Sequence, residues 1–177
     1  MKNIGITGQS GFIGYHLSNT IKIFNDKYKL IDFEDNYFEN DTLLENFVKK
    51  CDVIVHLAAV NRHENSDFIY HTNIELVKKL IKACEKTNSK PHILFSSSIQ
   101  EELNNAYGKS KIEGRKLFEN FAKNNNTAFT ALIIPNVFGP FCKPFYNSFI
   151  ATFCHQIANG QKPQVIVDSS VKLIYVS

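Results

Sequence analysis

Thr7-Gly8-Gln9-Ser10-Gly11-Phe12-Ile13-Gly14 follows a short apolar run at residues 3–7 and opens a segment with helical periodicity. In that segment Ile13, Leu17, Ile21 and Phe24 recur at offsets 0, 4, 8 and 11. Strand, glycine turn, helix is the context that gives such a motif meaning. A Cβ in the turn would keep a pyrophosphate from the backbone amides. The helix start beyond Gly11 presents unpaired N–H groups, and with them a partial positive charge. Phe12 and Ile13 stand in that first turn, and Gly14 allows close helix–strand packing. A glycine triplet alone is equally a tight turn with a helix cap. At the first strand of an alternating chain, dinucleotide binding is the stronger reading.

The alternation extends over the rest of the chain. Further strand-like runs lie at 28–33, 53–57, 92–96 and 128–134, with two more at 165–167 and 172–176. Between them Leu43, Leu44, Phe47 and Val48 form one apolar stripe, and Ile74, Val77, Leu80, Ile81 and Cys84 another. The strands are apolar throughout rather than alternating, as a sheet covered on both faces requires. Repeated strand–helix–strand units imply an α/β fold: a Rossmann-type, doubly wound parallel sheet with helices on both faces. Residues 124–127 are a polar turn. The whole chain, 1–177, reads as one nucleotide-binding domain, and its stop just after a strand suggests truncation. Phe145, Phe149 and Phe153 have the spacing of a helix's buried face, or of residues around a substrate mouth.

Composition excludes several function classes. Hydrophobic residues at 44% with 21% charged describe an ordinary globular protein. The net charge of +3 is small and the lysines are scattered, so no nucleic-acid partner is expected. No run approaches the roughly 20 apolar residues of a membrane span. Cys51, Cys84, Cys142 and Cys154 make no ligand pattern, and the histidines are unclustered, so no metal is expected. Reduced cysteines point to the cytoplasm.

Asp32 closes the second strand-like run, 18 positions after Gly14. An acid there can bond the adenosine ribose hydroxyls and disfavour a 2′-phosphate, which argues for NAD. Lys27, Lys29 and Arg62 remain able to meet a phosphate, and Asp32 could equally be a solvated strand-end acid. Leu57-Ala58-Ala59 leaves the third run with small residues, which gives a cofactor room or serves close packing.

Ser96-Ser97-Ser98 leaves the fourth run at its carboxyl end, where such folds place ligands. Tyr107 and Lys111 follow, four apart and on one helical face. Free tyrosine, with a pKa near ~10, is a poor acid–base at neutral pH. An ammonium within roughly 4 Å contributes about 4 kcal/mol at an effective dielectric of ~20, so the pair predicts a lowered phenol pKa. Lys111 can also hold a nicotinamide ribose, and a serine hydroxyl can bond the substrate oxygen. Tyrosine and lysine at this spacing are common on surfaces; their position after a serine-rich strand end favours catalysis.

Together these residues resemble the extended short-chain dehydrogenase/reductase family, also called the NAD-dependent epimerase/dehydratase family. The resemblance covers nearly the whole chain: Thr7–Gly14 with its GxxGxxG spacing, residues 56–59, Asn73 opening a helix, residues 96–98, 107–111 and 135–140. It implies that Ser98 is the catalytic serine and that Asn136 contacts a sugar near the active site. It also implies a homodimer through helices that include the one with Tyr107. Residues 60–62, 96–100, 135–139, 142–144 and 146–154 resemble more narrowly the reductase half of the capsular-polysaccharide enzymes that make UDP-N-acetyl-L-fucosamine. That resemblance implies NADPH-dependent reduction of a 4-keto UDP-deoxyhexosamine, with a substrate portion and a metal-binding cupin domain that these residues do not include. Arg62 is a further candidate for the substrate's phosphate.

Two features depart from the family pattern. Tyr107 follows Ser98 by only nine positions, and Asp32-Phe33-Glu34 stands where an NADPH-type arginine is expected. A nucleotide-sugar epimerase with bound NAD would use the same residues. A dehydratase would need Asp-Glu where Ile99 and Gln100 stand. A dinucleotide-binding module without turnover is the alternative from outside enzymology.

Overall fold

The computed structural model describes residues 1–165 and 167–176. The chain divides into two compact units, Met1–Ile133 and a second from Ile134 onward. The first unit contains β1 (Lys2–Thr7), α1 (Phe12–Ile23), β2 (Tyr28–Ile31), α2 (Asp41–Val48), β3 (Val53–His56), α3 (Ser66–Lys86), β4 (His92–Ser98), α4 (Ala106–Asn125) and most of β5 (Phe129–Ile134). Two 3-10 turns, Asp35–Glu39 and Ile99–Glu102, complete it.

The sheet order is β2-β1-β3-β4-β5, a doubly wound order. The β1–β2, β1–β3 and β3–β4 pairs are parallel, with Thr7 opposite His56 and His56 opposite Phe95. The chain therefore reverses direction across the sheet between β1 and β3. A crevice at the carboxyl ends of those strands is where this topology accepts ligands.

One sheet face is covered by α2, α3 and α4. Phe33, Leu44, Phe47, Ile54, Val77, Leu80, Ile93, Phe95 and Phe118 form its core. α1 packs on the opposite face, where Ile6, Ile21 and Val55 are buried beside Leu17. The helical stripes read from the sequence mark these faces, although Leu43 (39% exposed) and Phe24 (45%) escape them. Helix ends follow local chemistry. Asn40, Asn65 and Asn105 cap α2, α3 and α4 by accepting backbone N–H groups. Asn126, in the left-handed conformation, ends α4 inside the expected polar turn.

Three boundaries differ from expectation. β2 ends at Ile31, because Phe33 turns inward to meet Phe38 and Phe47 edge-on at 5.2 and 4.8 Å. β4 extends to Ser98, two residues further than the apolar pattern, because serine bonds replace apolar packing at its end. Asn73 does not open a helix but sits buried in the middle of α3.

The second unit holds β6 (Asn136–Phe138), α5 (Phe149–Ala158) and β7 (Leu173–Tyr175). β6 and β7 pair in parallel, Asn136 opposite Leu173. β7 is the core of the run expected at 172–176. Val165 and Val167 form no strand, and Ile166 lies outside the described residues. The expected buried aromatic face is absent: α5 has no buried residue, Phe149 is 41% exposed, and Phe145 (60%) precedes the helix in a positive-φ turn. Among the described residues no helix is long and apolar enough to cross a membrane.

Candidate active site

The glycine turn is built by exclusion. Gly8 has φ +74°, and a Cβ there would lie 2.8 Å from the Ala58 backbone nitrogen. The small exit of β3 is thus the wall against which the turn closes. At Gly14 a Cβ would fall 2.2 Å from the Gly8 carbonyl oxygen. Gly11 donates its N–H to that same oxygen at 3.1 Å and is the N-cap of α1 without a side-chain cap. The first turn of α1, with Phe12 and Ile13, carries no acidic residue. Its amides and dipole therefore face the turn with no carboxylate from the helix's own first turn to compete, which suits a pyrophosphate. Thr7 Oγ1 bonds His56 Nδ1 at 2.8 Å and accepts the Ala58 N–H at 3.4 Å, tying the two strand ends together.

Burial pushes the His56 pKa down to about 3, assisted by the Lys111 charge, so this histidine is a neutral core ring stacked on Phe95. Asp32 is exposed just beyond β2. Glu34 and Asp35 follow, and the Ser10 hydroxyl of the glycine turn donates to Asp35 at 3.3 Å. The dinucleotide that this turn implies fits these residues: a Cβ-free cradle, an uncapped helix start and an exposed acid just beyond β2.

The three serines divide their work. Ser96 is buried and donates to the His56 carbonyl at 3.1 Å. Ser97 is buried and donates to the Glu101 carboxylate. Ser98 is the partly exposed last residue of β4, and its Oγ accepts the Gln100 N–H at 3.1 Å.

Lys111 is 3% exposed, and its Nζ stands 4.9 Å from the Phe95 ring centre and 5.3 Å from that of Tyr107. Burial pushes its pKa down to about 8, against the pull of the Glu101 charge. The lowered Tyr107 pKa expected from the sequence is not found. Burial pushes it up to about 12, because the phenol is desolvated.

A second layer holds this pair, and the sequence motifs did not reveal its working. Asn73 donates to the Val60 carbonyl at 2.9 Å and to Ser110 Oγ at 3.0 Å, while its Oδ1 accepts the Val60 N–H at 2.7 Å. Ser110 in turn donates to the Tyr107 carbonyl at 2.7 Å. The loop leaving β3 is thereby joined to the first turn of α4. Asn73→Ala would leave both Val60 backbone groups without these partners. It is expected to cost about 2–4 kcal/mol, read from the urea midpoint.

Of the remaining candidates, Leu57, Ala58 and Ala59 line the exit of β3, partly buried. Arg62 is exposed on the following loop. Asn136 belongs to the second unit, where its backbone N–H bonds the Lys172 carbonyl at 3.3 Å.

The sequence profile of the NAD dependent epimerase/dehydratase family matches residues 4–176. A curated relative, the UDP-2-acetamido-2,6-beta-L-arabino-hexul-4-ose reductase of Pseudomonas aeruginosa, is 30% identical over 97% of this chain and 45% of its own length. The capsular polysaccharide assembling protein CapF from Staphylococcus aureus is 33% identical, with a TM-score of 0.79, over 98% of this chain and 45% of CapF. UDP-glucose 4-epimerase from Thermotoga maritima has a TM-score of 0.83 at 22% identity, over 98% of this chain and 69% of the epimerase, a likeness of fold. This chain thus spans less than half the length of the first two. On the profile match and the glycine turn, β4 exit and Tyr107–Lys111 pair described above, the chain belongs to the NAD dependent epimerase/dehydratase family.

Proposed function

We propose that this chain carries the reductase chemistry for a 4-keto UDP-deoxyhexosamine in surface-polysaccharide precursor synthesis. One observation carries the reading: a desolvated phenol at the start of α4, beside a buried lysine and next to a serine-ended strand. With its pKa raised to about 12, Tyr107 is protonated throughout the neutral range. Reduction requires a proton donor, whereas an epimerase's first step requires a phenolate base. The 30% identity with the reductase of Pseudomonas aeruginosa supports the reductase reading over the epimerase.

The dinucleotide, when bound, supplies hydride to the carbonyl carbon. Gly8, Gly11, Gly14 and the amides of Phe12 and Ile13 hold its pyrophosphate, with Leu57, Ala58 and Ala59 beneath. Ser98 donates a hydrogen bond to the ketone oxygen and orients it. Tyr107 gives that oxygen its proton as negative charge develops, and solvent restores the phenol. Lys111 stabilises the transient phenolate and grips the nicotinamide ribose. Arg62 is assigned to a phosphate of the sugar nucleotide.

NADH is the proposed reductant. Asp32 would bond the ribose hydroxyls, and Glu34 and Asp35 add negative charge that disfavours a 2′-phosphate. NADPH is what the resemblance to the capsular-polysaccharide reductases implies. A cytoplasmic homodimer is the proposed working form; the buried free thiols of Cys51 and Cys84 suit a reducing compartment.

The test follows absorbance loss of NADH and NADPH separately with a UDP-4-keto-deoxyhexosamine. Turnover with NADH in preference to NADPH is expected. Asp32→Ala is expected to weaken NADH binding about tenfold, as loss of a charged hydrogen bond should. Interconversion of a UDP-hexose and its C4 epimer, with no net change in NADH, would instead establish the epimerase.

A further inference from the structure

The connection from Ser98 to Tyr107 is short, and it is clamped. Its first half is the 3-10 turn Ile99–Glu102, capped by Ser98. From that turn Glu101 reaches α4 and meets Arg115 through both carboxylate oxygens. Arg115 Nε donates to Oε1 at 3.1 Å and Nη2 to Oε2 at 2.7 Å. The same Oε1 accepts the Ser97 hydroxyl at the end of β4. The Glu101 side chain is only 11% exposed. Burial alone would raise its pKa. Hydrogen bonds from Arg115 and Ser97, with the charges of Arg115 and Lys111, hold it below the usual carboxylate range.

Arg115 lies four residues after Lys111, so the two share a face of α4. A carboxylate gripped by Arg115 is therefore set against the face that carries Lys111. Close packing backs the clamp: a Cβ on Gly108 would lie 2.0 Å from the Gln100 carbonyl oxygen. Asn105 Nδ2 donates to the Gln100 side-chain oxygen at 3.3 Å. The turn cannot lift from α4 without breaking these contacts.

We propose that Glu101, held by the Arg115 fork, is the positioning residue of the reductive site. It locks the strand end bearing Ser98 to the helix bearing Tyr107 and supplies the negative charge that keeps Lys111 an ammonium. The inference rests on Tyr107 and Lys111 acting as the proton donor and its partner. Geometry gives Glu101 this place, and the charges around Lys111 agree. Tyr107 faces it from α4, with neutral His56 on β3 and Glu101 on the 3-10 turn. β4 contributes Phe95, which does not ionise. Among the described residues, Glu101 is thus the one anion acting on a lysine whose pKa burial has pushed down to about 8.

The test titrates Lys111 by NMR of 13C-lysine-labelled protein, the resonance assigned with Lys111→Arg. In Glu101→Gln the Lys111 midpoint is expected to fall by about one pH unit, because loss of a nearby negative charge disfavours the ammonium. Alongside, kcat at pH 7.5 is expected to fall about tenfold with KM for the sugar nucleotide unchanged, the mark of an interaction used in the transition state. An unmoved midpoint, or a lowered midpoint with kcat unchanged, overturns the proposal. Should Glu101→Gln not fold, Arg115→Gln keeps the carboxylate but removes the fork. There kcat should fall while the Lys111 midpoint does not, and an unchanged kcat overturns the proposal. If the unsubstituted protein reduces no 4-keto sugar, the proposed reaction fails, while the Lys111 titration still decides the clamp.

Discussion

Replacing Tyr107 with phenylalanine is expected to lower kcat for ketone reduction by about 10²–10⁴-fold, the usual range for loss of a general acid. Affinity for the dinucleotide should stay within about twofold. The phenyl ring keeps the surface that Lys111 Nζ approaches at 5.3 Å from its centre, and only the proton donor is lost. Single-turnover absorbance measurements give the rate, and fluorescence titration gives the affinity. Turnover within tenfold of the unsubstituted protein would remove Tyr107 from the role of acid. The pH profile provides an independent check. Tyr107 holds its proton up to about 12, so it does not limit the rate near neutrality. Lys111 is charged below about 8 and neutral above it. The rate is therefore expected to be sustained below that value and to fall as pH rises through it.

Gly14→Ala is expected to weaken dinucleotide binding by more than about 100-fold, or about 2.7 kcal/mol. Two effects oppose each other at this position. Alanine within a helix is favoured over glycine by about 1 kcal/mol. Against that, the new methyl group would lie 2.2 Å from the Gly8 carbonyl oxygen and 2.9 Å from the Gln9 Cα. Those are backbone atoms, and Gly8 is itself pressed on Ala58, so the turn has nowhere to retreat. Overpacking of this kind costs typically 1–3 kcal/mol and moves the amides that should face the pyrophosphate. Thermal melts with and without NADH measure both effects. The unsubstituted protein should gain stability from the ligand. The variant should melt lower and gain nothing. A variant that NADH stabilises as it does the unsubstituted protein would show that the pyrophosphate lies elsewhere.

Legibility in the sequence followed the range of the interactions concerned. The stripes on α1, α2 and α3 were readable because each helix buries one face against one sheet. Boundaries were misread where a distant partner intervened. Phe33 leaves the strand direction to join Phe38 and Phe47, and β4 continues through serines that bond inward instead of packing. Asn73 is visible as a motif residue, but its three hydrogen bonds to Val60 and Ser110 depend on α3 lying against α4. The Phe145, Phe149 and Phe153 pattern misled because periodicity states which residues share a face, not whether anything covers it. Glu101 and Arg115, fourteen positions apart, left one faint trace: a cation one turn beyond Lys111 and an acid just after the serines.

The amino-acid order by itself determined the alternating strand–helix plan, the Cβ-free turn from Gly8 to Gly14 and the placing of Tyr107 and Lys111 on one helical face. These depend on backbone freedom and helical spacing, which act within a few residues. The protonation of the site was decided only by tertiary structure. Desolvation raises the Tyr107 pKa, burial lowers that of Lys111, and the Glu101 charge acts on it from another element. Solvent exclusion and charge proximity are properties of the assembled core, and no local run of residues contains them.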